Sequence, residues 1–163
     1  MMEPQVCRTQ LATMLADETR LLGLLAKQLE HEHELLVAND VESLEKAAEA
    51  RQASVVGLSR VDQERRNLCG LLGYGADHVG LAAMLKWCDP AGSLVASHAA
   101  AAHQAQLCRD QNDRNGALVN ARLNRLNGMV DKMNAGSHRT YESGGPLRST
   151  VASVPGRMVS ISA

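Results

Sequence analysis

The residues in this sequence most able to do chemistry are four consecutive ones, His31, Glu32, His33 and Glu34. On a helix, His31 and Glu34 share one face while His33 points elsewhere. The H-E-x-x-H spacing, which places two histidines on one metal ion, is absent. A solvated polar face is the preferred interpretation, so neither a metal nor any other cofactor is expected.

The other reactive side chains form no recognisable catalytic pattern. His98 and His103 lie five residues apart on an alanine-rich segment and are poorly spaced to clamp one ion. No Ser or Cys sits in a nucleophile elbow, and no glycine pattern resembles a phosphate loop. A di-metal helical enzyme would need two Glu-x-x-His helices and further glutamates, and that set is incomplete. We therefore expect no enzyme. The four cysteines form no C-x-x-C pair: Cys7, Cys69, Cys88 and Cys108.

The composition favours an all-α protein with protein partners. Hydrophobic residues make up 45% of the 163 residues but aromatic residues only 2%, and Phe is absent. Strand-rich cores normally draw on aromatic residues, whereas Ala, Leu, Met, Glu and Arg are helix formers. The net charge of -1 predicts no nucleic-acid binding. No signal-like start and no run of about 18 apolar residues is present, so we expect a cytoplasmic chain without membrane insertion.

The hydrophobic periodicity predicts helices at about 9–38, 41–72, 78–87 and 90–134. In the first, Leu15, Leu22, Leu29 and Leu36 recur every seven residues, while Glu18 and Glu32 interrupt the neighbouring column, and Arg51 and Arg65 interrupt the thinner stripe of the second. The very short link at Asn39-Asp40 predicts an antiparallel hairpin, with either residue as the cap. Gly73, Gly75 and Asp77 end the second helix and cap the short third, and Asp89-Pro90 would begin the fourth.

We therefore expect one domain over residues 1–135, an elongated antiparallel bundle or coiled-coil hairpin of three long helices and one short helix. Residues 136–163 are rich in Ser, Gly and Pro without a sustained period, which predicts a flexible tail.

The last long helix carries a seam that alternates steps of four and three residues, as in a coiled coil. Asn115-Gly116 would ordinarily indicate a turn, but the repeat continues in phase through it, so one helix is predicted. Asn112 and Asn115 occupy seam positions. They either fix the register of a buried contact or belong to a wet groove that meets a partner. Beyond them the apolar residues exceed what the short helix and the hairpin ends account for. Core packing is the simpler interpretation of any single one of these residues, and a partner-binding groove is the alternative interpretation of the stripe as a whole.

The run NDRNGALVNARL at 112–123, followed by Thr140-Tyr141, resembles the FlgN family of flagellar type III export chaperones. The hairpin sequence around EHELL at 32–36 and DVESL at 40–44 is similar to the N-terminal half of the same family. The resemblance covers about residues 8–142. The Asn-x-x-Asn-Gly-x-Leu run is its more specific part, since many coiled coils share leucine hairpins.

This resemblance implies a cytoplasmic chaperone that binds the helical termini of hook-associated junction proteins, prevents their premature polymerisation and delivers them to a component of the export gate. A monomer or weakly associating dimer would favour this role. Tyr141 matches a tail tyrosine linked with gate docking, although the longer Gly/Pro-rich tail departs from the family pattern. The alternative is a structural coiled-coil homo-oligomer or scaffold without cargo. The implied cargo-binding residues, together with the two seam asparagines, are Asn112, Asn115, Leu118, Val119, Arg122, Leu123, Leu126, Met129, Val130 and Met133.

Overall fold

The computed structural model describes residues 1–137 of the chain. Four helices follow in order: α1 Pro4–Ala38, α2 Val41–Leu71, α3 His78–Cys88 and α4 Val95–Ser137. The all-α prediction is confirmed. The predicted tail lies outside the described residues from position 138 onward, and so does Tyr141. Within residues 1–137, no helix is long and apolar enough to cross a membrane. The chain divides into two units, residues 1–124 and 125–163, which we describe separately.

A tight turn joins α1 to α2 in the first unit. Asn39 adopts the left-handed conformation with a φ of 59°, a region that Asn tolerates better than most residues. The Asp40 carboxylate then accepts a hydrogen bond from the backbone N–H of Ser43 at 3.1 Å, which satisfies an orphan donor at the start of α2. The structure thus selects Asp40 as the cap.

The hairpin core follows a seven-residue repeat on both helices. Leu15, Leu22, Leu29 and Leu36 of α1 are all buried, as the sequence predicts. Four of the five buried positions of α2 have the same spacing, and three of these four carry smaller side chains. The four are Ala47, Ser54, Val61 and Leu68. The hydroxyl of Ser54 donates to Gln28 Oε1 at 2.7 Å, so the one polar member of this column is satisfied.

The charged residues that interrupt the two stripes pair with one another across the hairpin. Arg65 donates to Glu18 at 3.1 Å, and Arg51 donates to the buried Glu32 at 2.8 Å. The two glutamates are fourteen residues apart on α1, and the two arginines are fourteen apart on α2, in the opposite direction. The two ion pairs therefore specify one antiparallel register, since a slip of one residue would separate both.

Helix α3 closes one end of the first unit over a cluster of small and flexible side chains. Met84 and Cys88 pack there against Cys7 and Cys69, all four nearly or fully buried. Gly80 sits so close to the backbone of Gly75 that a Cβ atom would overlap it, so only glycine fits. Trp87 is 37% exposed, whereas the neighbouring Cys88 is buried.

Two helix starts differ from the sequence prediction. Helix α1 begins at Pro4 rather than near Thr9, which brings the buried Cys7 into the core. Helix α4 begins at Val95 rather than at Pro90. The Asp89 carboxylate accepts hydrogen bonds from the Ser93 hydroxyl at 2.6 Å and from the Leu94 N–H at 2.8 Å. It therefore holds a loop between the two helices, and these bonds lower the pKa of Asp89.

Candidate functional site

In the first unit α4 packs along α1 through small side chains. The buried positions of α4 in this unit are Ala101, Cys108 and Asn115, again seven residues apart. The Cys108 thiol donates to the Leu22 carbonyl, and the Asn115 amide donates to the Leu29 carbonyl, with an offset of 86 residues in both cases. A constant offset means that the two helices run in the same direction. Small side chains at the contact allow their backbones to approach closely.

Asn115 makes two polar contacts with α1. Its Nδ2 donates to the Leu29 carbonyl at 2.8 Å, and its Oδ1 lies 3.1 Å from His33 Nδ1. Because the amide oxygen is an acceptor, His33 Nδ1 must carry the hydrogen in this contact. Both polar atoms of the buried amide are therefore bonded within the chain, which favours the register-fixing interpretation, while Asn112 is exposed.

Two arginines extend this contact toward the end of α1. Arg114 donates to Glu30 at 2.9 Å, and this hydrogen bond is the main reason that the pKa of Glu30 is lowered. Arg122 donates to Asn39 Oδ1 at 3.1 Å and to the Val37 carbonyl at 3.5 Å. A cation at the C-terminus of a helix also interacts favourably with the helix dipole. Arg122 thus holds α4 to the end of α1.

Beyond Asn115 the apolar side chains of the first unit become progressively uncovered. Leu118 is half-buried, Val119 is 38% exposed and Leu123 is 52% exposed. With the same offset of 86 residues, Ala38, the last residue of α1, corresponds to Asn124 of α4. Within the first unit, α1 therefore ends at the level of Asn124 of α4.

The described part of the second unit, residues 125–137, carries the rest of the apolar seam. Leu126 is 57% exposed, Met129 48%, Val130 53% and Met133 73%. An apolar helix face without intramolecular cover is typical of a partner-binding surface. We use the name 118–133 stripe for the apolar residues that follow one another along the α4 sequence: Leu118, Val119, Leu123, Leu126, Met129, Val130 and Met133.

The histidine–glutamate cluster of α1 is divided among separate partners. Glu32 bonds Arg51, and His33 contacts Asn115, whereas His31 and Glu34 face each other at 3.8 Å in solvent. The solvated-face interpretation therefore holds for His31 and Glu34 and is wrong for the other two. Within residues 1–137, no three His, Cys, Asp or Glu side chains are placed to hold a metal ion.

The four cysteines are free thiols in two separate cores. Cys108 lies against α1, and burial raises the pKa of its thiol. Burial and a hydrogen bond with Cys88 raise the pKa of Cys7 to about 12. Cys7 and Cys108 therefore keep their protons at neutral pH and are poor nucleophiles, so they act as packing residues.

Comparison with known proteins complements this geometry. No curated protein and no solved structure matches the chain. The family described as FlgN protein matches residues 2–149, which includes all four helices and the 118–133 stripe. By this match, the chain belongs to the FlgN family and has the general role of a flagellar export chaperone.

Proposed function

We propose that the 118–133 stripe binds the helical terminus of a flagellar hook-associated protein in the cytoplasm, keeps that protein from polymerising early and delivers it to the export gate. The observation that carries the proposal is the exposure of Leu126, Met129, Val130 and Met133 on one helix of a FlgN-family chain. An amphipathic cargo helix would cover these side chains as a partner helix covers a coiled-coil seam.

The chemistry of the stripe suits a partner that must be held and later released. Met129 and Met133 are unbranched and polarisable, so they adapt to different cargo surfaces. The stripe lies on an exposed helix face rather than in a deep pocket, so cargo would not have to open a core in order to dissociate. Release at the export gate then requires loss of surface contacts only.

The polar residues predicted to bind cargo have distinct roles in this proposal. Asn112 is exposed and free to meet a partner backbone. Asn115 and Arg122 are bonded to α1, so they support the stripe by fixing α4 on the hairpin. Either residue could contact cargo directly only by giving up its hydrogen bond to α1 for one to the cargo. Tyr141 remains the proposed position for docking at the gate.

The test is co-purification of a hook-associated protein with the full chain from a flagellated host. We expect the double substitution Leu126→Asp and Met129→Asp to abolish capture, because each change places a carboxylate in the centre of the apolar contact. The matched control is Leu24→Asp with Val56→Asp. These side chains of the hairpin have comparable exposure, 43% and 59%.

The control variant should retain capture, and both variants should keep the helical circular dichroism of the unmodified chain. Equal capture by the two variants, or capture by the stripe variant alone, would place the cargo site elsewhere on the molecule. Light scattering across a dilution series separates the proposal from the scaffold alternative. A monomer or a weakly associating dimer supports the chaperone, and a dimer or larger oligomer of constant mass supports the scaffold.

A further inference from the structure

The charged side chains beside the stripe are arranged asymmetrically in the second unit. Leu126, Met129 and Met133 form the seam, and Arg125 and Lys132 flank it on one side, seven residues apart. The other flank carries the apolar Val130. Asp131 is the one acidic residue among positions 125–137, and it lies on the face opposite the seam.

Neither flanking cation has an acidic partner within residues 1–137, and both are exposed. In the first unit, by contrast, arginines beside an apolar stripe bond glutamates of a facing helix. Arg51 bonds Glu32, Arg65 bonds Glu18 and Arg114 bonds Glu30. Residues that flank a coiled-coil seam commonly choose the partner through such pairs.

We propose that residues 125–133 select a cargo helix that carries carboxylates about seven residues apart along one edge of its apolar face, where they meet Arg125 and Lys132. This inference rests on the proposed function and adds to it the charge of the partner. The apolar seam would supply most of the affinity, and the two cations would discriminate between helices of similar hydrophobicity.

The same arrangement makes a second copy of this segment a poor occupant. In an antiparallel pair, the flank with Arg125 and Lys132 would face the same flank of the other copy, so like charges would meet. In a parallel pair, that flank would face the apolar flank with Val130, and the cations would lose water without gaining a carboxylate. A different, acidic helix satisfies both the seam and its flank.

Three synthetic amphipathic helical peptides with one leucine seam test the proposal. They carry Glu, Gln or Lys at two flank positions seven residues apart. The affinity of each labelled peptide for the full chain is measured by fluorescence anisotropy at low and high salt. Because exposed ion pairs contribute modestly, we expect the Glu peptide to bind about three- to tenfold more tightly than the Gln peptide, and the Lys peptide to bind most weakly. High salt should largely remove these differences.

The charge reversal Arg125→Glu with Lys132→Glu should invert the order and favour the Lys peptide. If all three peptides bind equally, or the reversal leaves the order unchanged, the charge selectivity is refuted. Leu126→Asp with Met129→Asp then separates this failure from failure of the surface itself. Peptides that lose binding in that variant leave the cargo surface standing, whereas peptides that bind it as well as the unmodified chain overturn both proposals. No binding of any peptide to the unmodified chain also counts against both.

Discussion

Breaking the pair between Arg51 and Glu32 should destabilise the hairpin by an amount that depends on which partner is removed. Glu32 is 6% exposed and its side chain receives the Arg51 guanidinium at 2.8 Å, while the side chain of Arg51 is 31% exposed. Arg51→Gln therefore leaves a buried carboxylate without its cation. Removal of one partner of a buried pair costs about 3–5 kcal/mol, and the partial exposure of Arg51 reduces our expectation to about 2–3 kcal/mol.

Glu32→Gln should cost less, about 1–2 kcal/mol, since the arginine left behind can turn toward water. The double variant should be about as stable as Glu32→Gln alone, which corresponds to a coupling free energy equal to the cost of Arg51→Gln, about 2–3 kcal/mol. With a urea m-value of about 2 kcal/mol/M, Arg51→Gln lowers the denaturation midpoint by roughly 1 M. Urea titrations followed by circular dichroism at 222 nm measure all four proteins of the cycle.

The matched control is the exposed pair of Arg60 and Glu64, four residues apart on α2 and 3.1 Å from each other. Its side chains are 81% and 46% exposed, so its coupling should be about 0.3–0.5 kcal/mol. A coupling between Arg51 and Glu32 no larger than this control would refute the claim that the ion pair fixes the hairpin register. So would an Arg51→Gln variant as stable as the unmodified chain.

Three further experiments test other parts of the structure. Gly80→Ala should lower the free energy of unfolding by about 1–3 kcal/mol in urea titrations, because the new Cβ atom would overlap the backbone of Gly75. The control Gly70→Ala has open space around it and should raise the free energy of unfolding by about 0.5–1 kcal/mol. Equal changes in the two variants would contradict the close approach at Gly80. Asn115→Ala should cost about 1–2 kcal/mol by the same measurement and Asn112→Ala almost nothing, since only the first amide bonds α1. The pKa of Cys7 is raised to about 12, so the folded chain holds this proton more tightly than the unfolded chain does. The free energy of unfolding should therefore fall as pH rises from about 9 toward 12, and the fall should be smaller in Cys7→Ala; an equal fall would assign the pH dependence to other groups.

The helices and their buried faces follow from local signals that the sequence displays directly. The leucines at every seventh position from Leu15 to Leu36 predict the buried face of α1. Asp40 and Asp77 are the N-cap residues of α2 and α3. Each of these signals depends on residues close together in the chain. The start of α4 was less predictable, because Asp89 stabilises the preceding loop and not the first turn of the helix. Its carboxylate accepts a hydrogen bond from the backbone N–H of Leu94, five residues further along the chain.

Long-range pairings could not be predicted in the same way. In the sequence, Glu18 and Glu32 only interrupt an apolar stripe. In the structure they form ion pairs with Arg65 and Arg51 of α2. A signal was available, because both pairs of positions are spaced by fourteen residues, but it has meaning only once the hairpin register is known. The requirement for Gly80 arises from the approach of Gly75, and no sequence pattern distinguishes this glycine from the others.

The apolar face of α4 was predicted from its repeat, while its role as a cargo-binding surface stays a prediction. The continuing repeat from Leu118 to Met133 indicated an apolar face without enough of the chain to cover it, and the exposures agree. The sequence left two roles open for Asn115, whose contact with Leu29 depends on the parallel packing of α4 on α1. The direction of that packing comes from the offset between two helices that are far apart in the chain.

A photo-crosslinking amino acid placed at Met129 tests the cargo surface most directly, with the same group at Val56 of α2 as the control. The two positions are 48% and 59% exposed, so the crosslinking group should be about equally accessible to a partner at both. We expect a covalent adduct with a hook-associated protein from Met129 and none from Val56 when each variant is irradiated in a flagellated host. An adduct from Val56 without one from Met129 would contradict the proposal that cargo lies on the 118–133 stripe.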